Sequence, residues 1–306
     1  MFERDEDMEM ADTEIPKRTL GRTGFDATVL GFGAMELRGT EQHHRGREID
    51  PDRPGEILNL LLDEGINYVD TSIDYGDSEE SIGQHISHRR DEYFLASKCG
   101  CWAGEPLAEG LRPHVFTRKN ITDGVEQSLR RLKTDHLDLI QFHHSPSLHE
   151  LHAEDAIEVL VEMQQEGKVR FIGSSSVLPD IVDHIDLDVF DVLQIPYSAL
   201  EREHEEVITA AHAADIGVVV RGGVARGEFG KAEAWQRFAD AKLNELADGA
   251  SNAEFMLRFT ISHPGMTTTI VGTLDPNHLR ENIASVRKGP LPSDVYAEAK
   301  RRLSAL

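Results

Sequence analysis

Asn67-Tyr68-Val69-Asp70-Thr71-Ser72-Ile73-Asp74-Tyr75-Gly76 is the stretch whose reading decides the fold. Tyr68 and Val69 favour a strand, whereas Asp74 through Glu80 supply turn and helix-start chemistry ahead of Ile82. Asp70 therefore ends a strand, and Tyr75 stands on the loop beyond it. In a parallel α/β protein that edge is where catalytic groups gather. Taken alone, the stretch favours a bland reading in which Asp70 caps the next helix and Tyr75 packs on its own loop. The rest of the chain turns the balance.

Working outward, strand-like and helix-like segments alternate. Upstream, Lys17 to Leu20 and Ala27 to Leu30 flank Gly21-Arg22-Thr23-Gly24 and read as a hairpin, followed by a buried strand from Leu30 to Met35. Glu36 to Pro54 is polar and reads as a loop able to reach over a site; it carries His43 and His44, a weak metal pattern. A helix over Glu56 to Glu64 leads into the Tyr68 strand, and another near Glu79 to His88 follows it. Strands are then expected at Phe94 to Lys98, Leu137 to His144, Val169 to Ser175, Val189 to Ile195, Ile216 to Arg221 and Thr267 to Gly272. Between them, Ile121, Val125, Leu129 and Leu132 form an amphipathic stripe, and Ile157, Leu160, Val161 and Gln164 mark another helix face. Helices are also expected over Glu201 to Ala214, Ala232 to Ser262 with a break at Asp248-Gly249, Pro276 to Val286 and Ser293 to Leu303.

Eight strands counted from Leu30, each followed by a helix or loop region, give an α/β chain of the (β/α)8 TIM-barrel pattern with an N-terminal β-hairpin. A doubly wound sheet is the alternative. It would announce itself with a glycine-rich phosphate turn after the first strand, but Gly31 and Gly33 have no third glycine opening a helix there. At 306 residues the chain suits one barrel domain over 16–306, with 1–15 as an acidic, disordered tail.

Composition narrows the function. The net charge of −23, from 55 acids against 32 bases, argues against nucleic acid and anionic lipid as partners. Acids spread along the whole chain give an acidic surface, which is the expectation for a halophilic source. A hydrophobic fraction of 39% without a long apolar run indicates a soluble protein with a core and no membrane span. Two cysteines, Cys99 and Cys101, are too few for a disulfide framework and read as small space-fillers in a reducing cytoplasm, the expected location.

In a barrel, the C-terminal strand ends point to one mouth, and here they carry Asp70, Lys98, His143, Ser175, Gln194 and Arg221. His143 and His144 face opposite sides of their strand, so only one belongs to the mouth; His143 shares parity with Gln141, Leu139 and Leu137. Together Asp, Tyr, Lys and His make a proton donor. A free phenol titrates near pH 10, roughly, and an ammonium beside it lowers that value while a carboxylate holds the ammonium in place. A neutral histidine polarises a carbonyl. The missing reagent is a hydride donor, a nicotinamide or flavin.

These residues resemble the aldo-keto reductase family from Arg18 to about Asn282. Leu20 to Gly24 and Leu30 to Gly33 are similar to its N-terminal hairpin and first strand; Val69-Asp70-Thr71-Ser72 with Tyr75-Gly76, Ser97-Lys98, and Asp138 to His143 are similar to its catalytic strands. Gly167 to Gly173 followed by Ser175, together with Gln194, resembles the segment that binds the nicotinamide carboxamide. Ile270 to Thr273 and Leu279 to Asn282 resemble the phosphate and adenine contacts. The resemblance implies Asp70, Tyr75, Lys98 and His143 as the catalytic set, a small-molecule carbonyl substrate, NADP as cofactor with NAD as the alternative, and no metal. It also implies Ser175, Ser176, Gln194, Arg221, Gly272, Thr273, His278, Glu281 and Asn282 as cofactor contacts. Three of these depart from the family's pattern. Arg221 stands where many members place an aromatic ring, Ser176 where Asn is common, and His278 where some carry an arginine for the ribose phosphate.

The first functional expectation is therefore reduction of an aldehyde or ketone, with Tyr75 as proton donor. A cofactor-binding regulatory subunit, as in the potassium-channel β subunits of this family, and a barrel enzyme of other chemistry such as a phosphosugar isomerase stand behind it. Substrate choice falls to loops at Glu36 to Pro54, Cys101 to Val115 and Gly222 to Trp235, with Trp102 and Phe116 as candidate lining. His144, His149 and His152 offer a metal pattern that the proton chemistry does not need.

Overall fold

The structure is a computed structural model that describes residues 14–39, 50–105, 113–224 and 232–306. Residues 1–13 of the expected acidic tail and half of the three expected substrate loops, His43 and His44 included, lie outside the described residues, whereas Ile15 is buried in the core. Two short strands, β1 (Lys17–Thr19) and β2 (Asp26–Thr28), pair antiparallel in the register Arg18 opposite Ala27. The expected hairpin is thus present, closed by a 3-10 turn over Gly21–Thr23.

Eight parallel strands follow and close on themselves. They are β3 (Leu30–Gly33), β4 (Tyr68–Asp70), β5 (Phe94–Cys99), β6 (Leu137–His143), β7 (Val169–Ser175), β8 (Val192–Pro196), β9 (Gly217–Arg221) and β10 (Thr268–Val271). Each pairs with its neighbour in sequence, and β10 closes the barrel by pairing with β3, Val271 opposite Phe32. This is the (β/α)8 fold. The β8 strand starts three residues later than its apolar run, because Asp188 takes a left-handed turn (φ 48°) and the Asp191 carboxylate accepts the Ile172 N–H at 3.0 Å.

The helices α1 (Arg53–Asp63), α2 (Ser78–His85), α3 (Arg118–Leu132), α4 (Leu148–Ala153), α5 (Ala156–Gln165), α6 (Asp180–Asp186) and α7 (Glu205–Ala213) alternate with β3 to β9. After β9 come α8 (Ala232–Asp240) and α9 (Asn252–Ile261), and after β10 come α10 (Pro276–Arg287) and α11 (Ser293–Leu303). The long helical region expected over Ala232 to Ser262 is two helices. The break begins earlier than the expected Asp248-Gly249, just after Asp240, and runs through Lys242, Asp248 and Gly249, all at positive φ, with a 3-10 turn over Leu243–Glu245 between them. In α3, Ile121, Val125, Leu129 and Leu132 are all buried, and each such side chain contributes about 1.5–3 kcal/mol relative to exposure. Thr117 accepts the Asn120 N–H and caps that helix, which ends at Lys133 in the left-handed region. No helix among the described residues is long and apolar enough to cross a membrane.

The barrel interior is layered. At its N-terminal end Leu20 and Phe25 of the hairpin pack with Tyr68, Phe94, Leu139, Phe171, Val192 and Val219. The Phe25 and Phe94 rings lie 4.8 Å apart, and Tyr68 stacks on Phe94 at 5.5 Å. Arg22 N–H donates to the Asp215 carbonyl, and the Arg18 guanidinium reaches the Ile261, His263 and Met266 carbonyls, so the hairpin is fastened as a plug. Two residues further along β4, β6 and β8, and four along β5, alternation brings inward the polar layer of Asp70, Lys98, Gln141 and Gln194.

Candidate active site

Asp70 ends β4 and is almost fully buried, yet both of its carboxylate oxygens are hydrogen-bonded. Its Oδ1 accepts from Lys98 Nζ at 2.5 Å, and its Oδ2 accepts from Gln141 Nε2 at 3.0 Å and Gln194 Nε2 at 2.8 Å. Lys98, in β5, donates a second bond to the Thr71 carbonyl at 2.7 Å. Burial works against the Lys98 ammonium, but Asp70 and the neighbouring Tyr75 outweigh it, and its pKa rises above the ordinary value. The ion pair is therefore a fixed positive point in a dry interior.

Tyr75 sits on the turn after β4, where its N–H donates to the Ser72 carbonyl at 3.0 Å. Gly76 next to it has φ 50°, and a Cβ there would lie 2.2 Å from the Arg38 carbonyl oxygen; only glycine lets the turn close on the segment after β3. The Lys98 ammonium lies 5.0 Å from the centre of the Tyr75 ring. Its pull toward the phenolate is present, as the sequence leads one to expect. Burial is the larger effect, however, with Asp70 and Asp74 adding to it, so the phenol's pKa is raised rather than lowered. The resting phenol keeps its proton.

His143 ends β6 and faces Tyr75 edge-on, ring centres 6.0 Å apart. His144 has φ 66° and has left the strand, so the parity argument does not reach it; its ring lies 4.7 Å from that of His143 and 3.9 Å from that of His114. Burial, then Lys98, His144, His114 and Arg221, push the His143 pKa well below its ordinary value. The imidazole is neutral. Its Nδ1 lies 3.1 Å from Cys101 Sγ. Burial and the Asp74 carboxylate push the Cys101 thiol up, so it stays protonated and donates to Nδ1. The ring proton is then left on Nε2.

Of the expected cofactor contacts, the structure brings Ser175, Ser176, Gln194 and Arg221 to adjacent strand ends. Gln194 is committed on both sides, donating to Asp70 and accepting from Ser175 Oγ at 3.0 Å. Ser176 Oγ is buried without a hydrogen-bond partner among the described residues. Across the barrel closure, a Cβ on Gly272 would lie 2.4 Å from the Gly33 carbonyl oxygen, so the backbone there passes uncommonly close. Thr273 Oγ1 accepts the Asp275 N–H, Asp275 caps α10 through the Asn277 N–H, and Pro276 opens the helix. His278 and Glu281 are exposed on α10, and Asn282 is half-buried. The unsatisfied Ser176 hydroxyl and the N-terminus of α10 fit an extended anion-bearing ligand such as a dinucleotide.

Gln141 and Cys101 are the functional residues that sequence reasoning missed. The first was legible, since it shares parity with His143; the second reads as a space-filler until its contact with His143 is seen. Phe116, expected to line the mouth, instead packs its ring against Phe142 at 5.9 Å.

Residues 29–302 match the Aldo/keto reductase family. The chain therefore belongs to that family of oxidoreductases. It is 30% identical over 290 residues to the uncharacterized oxidoreductase YqkF of Bacillus subtilis (strain 168), covering 87% of this chain and 90% of the relative. Among solved structures it is similar to the holo form of aldo-keto reductase AKR11C1 from Bacillus halodurans, with a TM-score of 0.81 and 26% identity, covering 94% of this chain and 96% of the other. It is also 26% identical to L-galactose dehydrogenase of Arabidopsis thaliana over 90% of this chain and 89% of the relative.

Proposed function

We propose that the protein reduces a small aldehyde or ketone to the alcohol with a nicotinamide dinucleotide, NADPH ahead of NADH. The observation that carries this reading is the buried Asp70–Lys98 pair set 5.0 Å from the Tyr75 ring, with a neutral His143 across the same mouth. The reduced dinucleotide, when bound, supplies the hydride.

The chain's own residues handle the oxygen. His143 donates its Nε2 hydrogen to the carbonyl oxygen and orients it. As negative charge builds on that oxygen, Tyr75 gives up its phenolic proton to it. Burial keeps this proton in place until then, and Lys98 stabilises the phenolate that remains. Asp70, steadied by Gln141 and Gln194, keeps Lys98 at its post. Ser176 is the free hydroxyl suited to a carboxamide, and the N-terminus of α10 behind Gly272 and Thr273 suits the phosphates. Arg280, exposed on α10, supplies positive charge where His278 replaces arginine, which supports the preference for NADPH.

Titration of the purified protein with NADPH and NADH in parallel, followed by an aldehyde-dependent absorbance assay, tests the reading. Tighter NADPH binding and consumption on adding aldehyde are expected. Binding without consumption across a broad carbonyl panel would leave a cofactor-sensing role, and no binding would remove the reading altogether.

A further inference from the structure

Beside the mouth, four side chains from separate parts of the sequence converge. Asp74 belongs to the loop after β4, Cys101 and His114 to the segment after β5, and His143 to the end of β6. One donor atom from each, a carboxylate oxygen, a sulphur and two imidazole nitrogens, all lie within 4.8 Å of one another. Cys101 Sγ is 3.1 Å from His143 Nδ1, and Asp74 Oδ1 is 3.8 Å from the same nitrogen. A tetrahedral zinc, with bonds of about 2.0–2.3 Å, spaces its donors by roughly 3.3–3.8 Å. The 3.1 and 3.8 Å separations at His143 Nδ1 lie close to that spacing.

The cluster is held in place by the backbone around it. Cys101 and His114 face each other across an antiparallel bridge, backed by the bond from Val115 N–H to the Gly100 carbonyl at 2.6 Å. Buried Asn120 donates to the Cys101 and Val115 carbonyls and accepts the Ala103 N–H. Ser72 Oγ donates to Asp74 Oδ1 at 2.5 Å and orients that carboxylate. Such supporting bonds are what a metal site uses to aim its ligands. A second, independent observation points the same way: His114 Nε2 is buried and has no hydrogen-bond partner among the described residues.

We propose that Asp74, Cys101, His114 and His143 form a site for one divalent transition-metal ion of the Zn2+ class. A sulphur with two imidazoles and a single carboxylate favours such an ion over Mg2+ or Ca2+, which take oxygen ligands. On binding, the sulphur–metal bond replaces the sulphur–hydrogen bond, and the thiol proton leaves to the buffer. The metal takes the place of that proton on Nδ1 of His143, so the ring keeps its hydrogen on Nε2. The site stands on its own geometry and does not depend on the carbonyl-reductase reading.

Titration of the full chain with Co2+, read by absorbance, tests it. A single equivalent is expected to give a thiolate-to-metal charge-transfer band and tetrahedral visible bands, both displaced by Zn2+. Cys101→Ser removes the charge-transfer band, and His114→Ala weakens binding by about tenfold or more. A control carrying both His149→Ala and His152→Ala, exposed positions outside the cluster, retains the wild-type spectrum. Circular dichroism on each variant confirms that the fold persists. Absence of the thiolate band in wild type, or wild-type Co2+ affinity in both Cys101→Ser and His114→Ala, would overturn the site and leave Cys101 as a hydrogen-bond donor only. The spectrum needs neither dinucleotide nor carbonyl, so a protein that binds Co2+ as expected but reduces nothing would sink the reductase reading and leave this one standing.

Discussion

Two buried carboxylates near opposite ends of the barrel have been given different company. Asp138, near the N-terminal end of β6, accepts from Arg90 at 2.6 Å, Arg170 at 2.7 Å and the Leu95 N–H at 2.8 Å. Asp70, at the C-terminal edge, has a single ammonium and two neutral amides. The Arg170 partner is more than half exposed, so the lower network shares part of its charge with water, while Arg90 is largely buried and also donates to the Tyr93 and His136 carbonyls. Lys98 has no such outlet. Its ammonium is sealed in, with the Tyr75 ring as its neighbour. A carboxylate serves as a structural clasp where it is shared by two guanidiniums, one of them open to solvent, and becomes part of a source of directed charge where its one cation is enclosed beside a phenol.

The largest expected effect comes from breaking the upper pair. Lys98→Met leaves Asp70 buried with only its two amides, which costs about 3–5 kcal/mol of stability, and removes the charge that stabilises a Tyr75 phenolate, lowering kcat by about 10²–10⁴-fold. Denaturant unfolding and steady-state kinetics measure the two together. Asp138→Asn sharpens the comparison from below. Arg170 can turn to water and Arg90 keeps its bonds to the Tyr93 and His136 carbonyls, so the stability loss should be smaller, about 1–3 kcal/mol, and the surviving folded protein should turn over at the wild-type rate. An equal loss of turnover in both variants would erase the distinction.

The smallest effect concerns His184, on the buried face of α6. Its Nε2–H donates to the Pro146 carbonyl at 2.8 Å, while its Nδ1 is enclosed with no partner among the described residues. Burial outweighs that bond and lowers its pKa below the ordinary 6.5. The unfolded chain therefore takes up the proton first. The stability from this group is present above about pH 6.5 and is lost as pH falls toward the lower folded value, at up to about 1.4 kcal/mol per pH unit. His184→Asn should flatten this part of the stability profile measured by urea unfolding between about pH 7 and pH 5; an unchanged slope would mean that His184 is not its source.

Much of this was legible in the chain. The barrel follows from the alternation of apolar strands with 3.6-period stripes, whereas strand parity does not reach His144, which has left β6 at positive φ. What escaped was short or assembled at a distance. The helices α4 and α6 have six and seven residues, too few to show a stripe, although Ser147 and Glu150 form a capping box that marks the start of α4. The proximity of Asp74, Cys101 and His114 to His143 depends on how loops after different strands fold back, which no periodicity encodes. The protonation of Tyr75 also could not be read from residue types, because burial opposes Lys98 and only coordinates show how dry the site is.

The central claim is that Tyr75 delivers the proton, and Tyr75→Phe tests it most directly. It keeps the ring and removes only the hydroxyl. Single-turnover reduction of an aldehyde that the wild type accepts, with dinucleotide affinity measured alongside, should show a loss of about 10²–10⁴-fold in rate and nearly unchanged dinucleotide binding. Wild-type turnover by Tyr75→Phe would contradict the account.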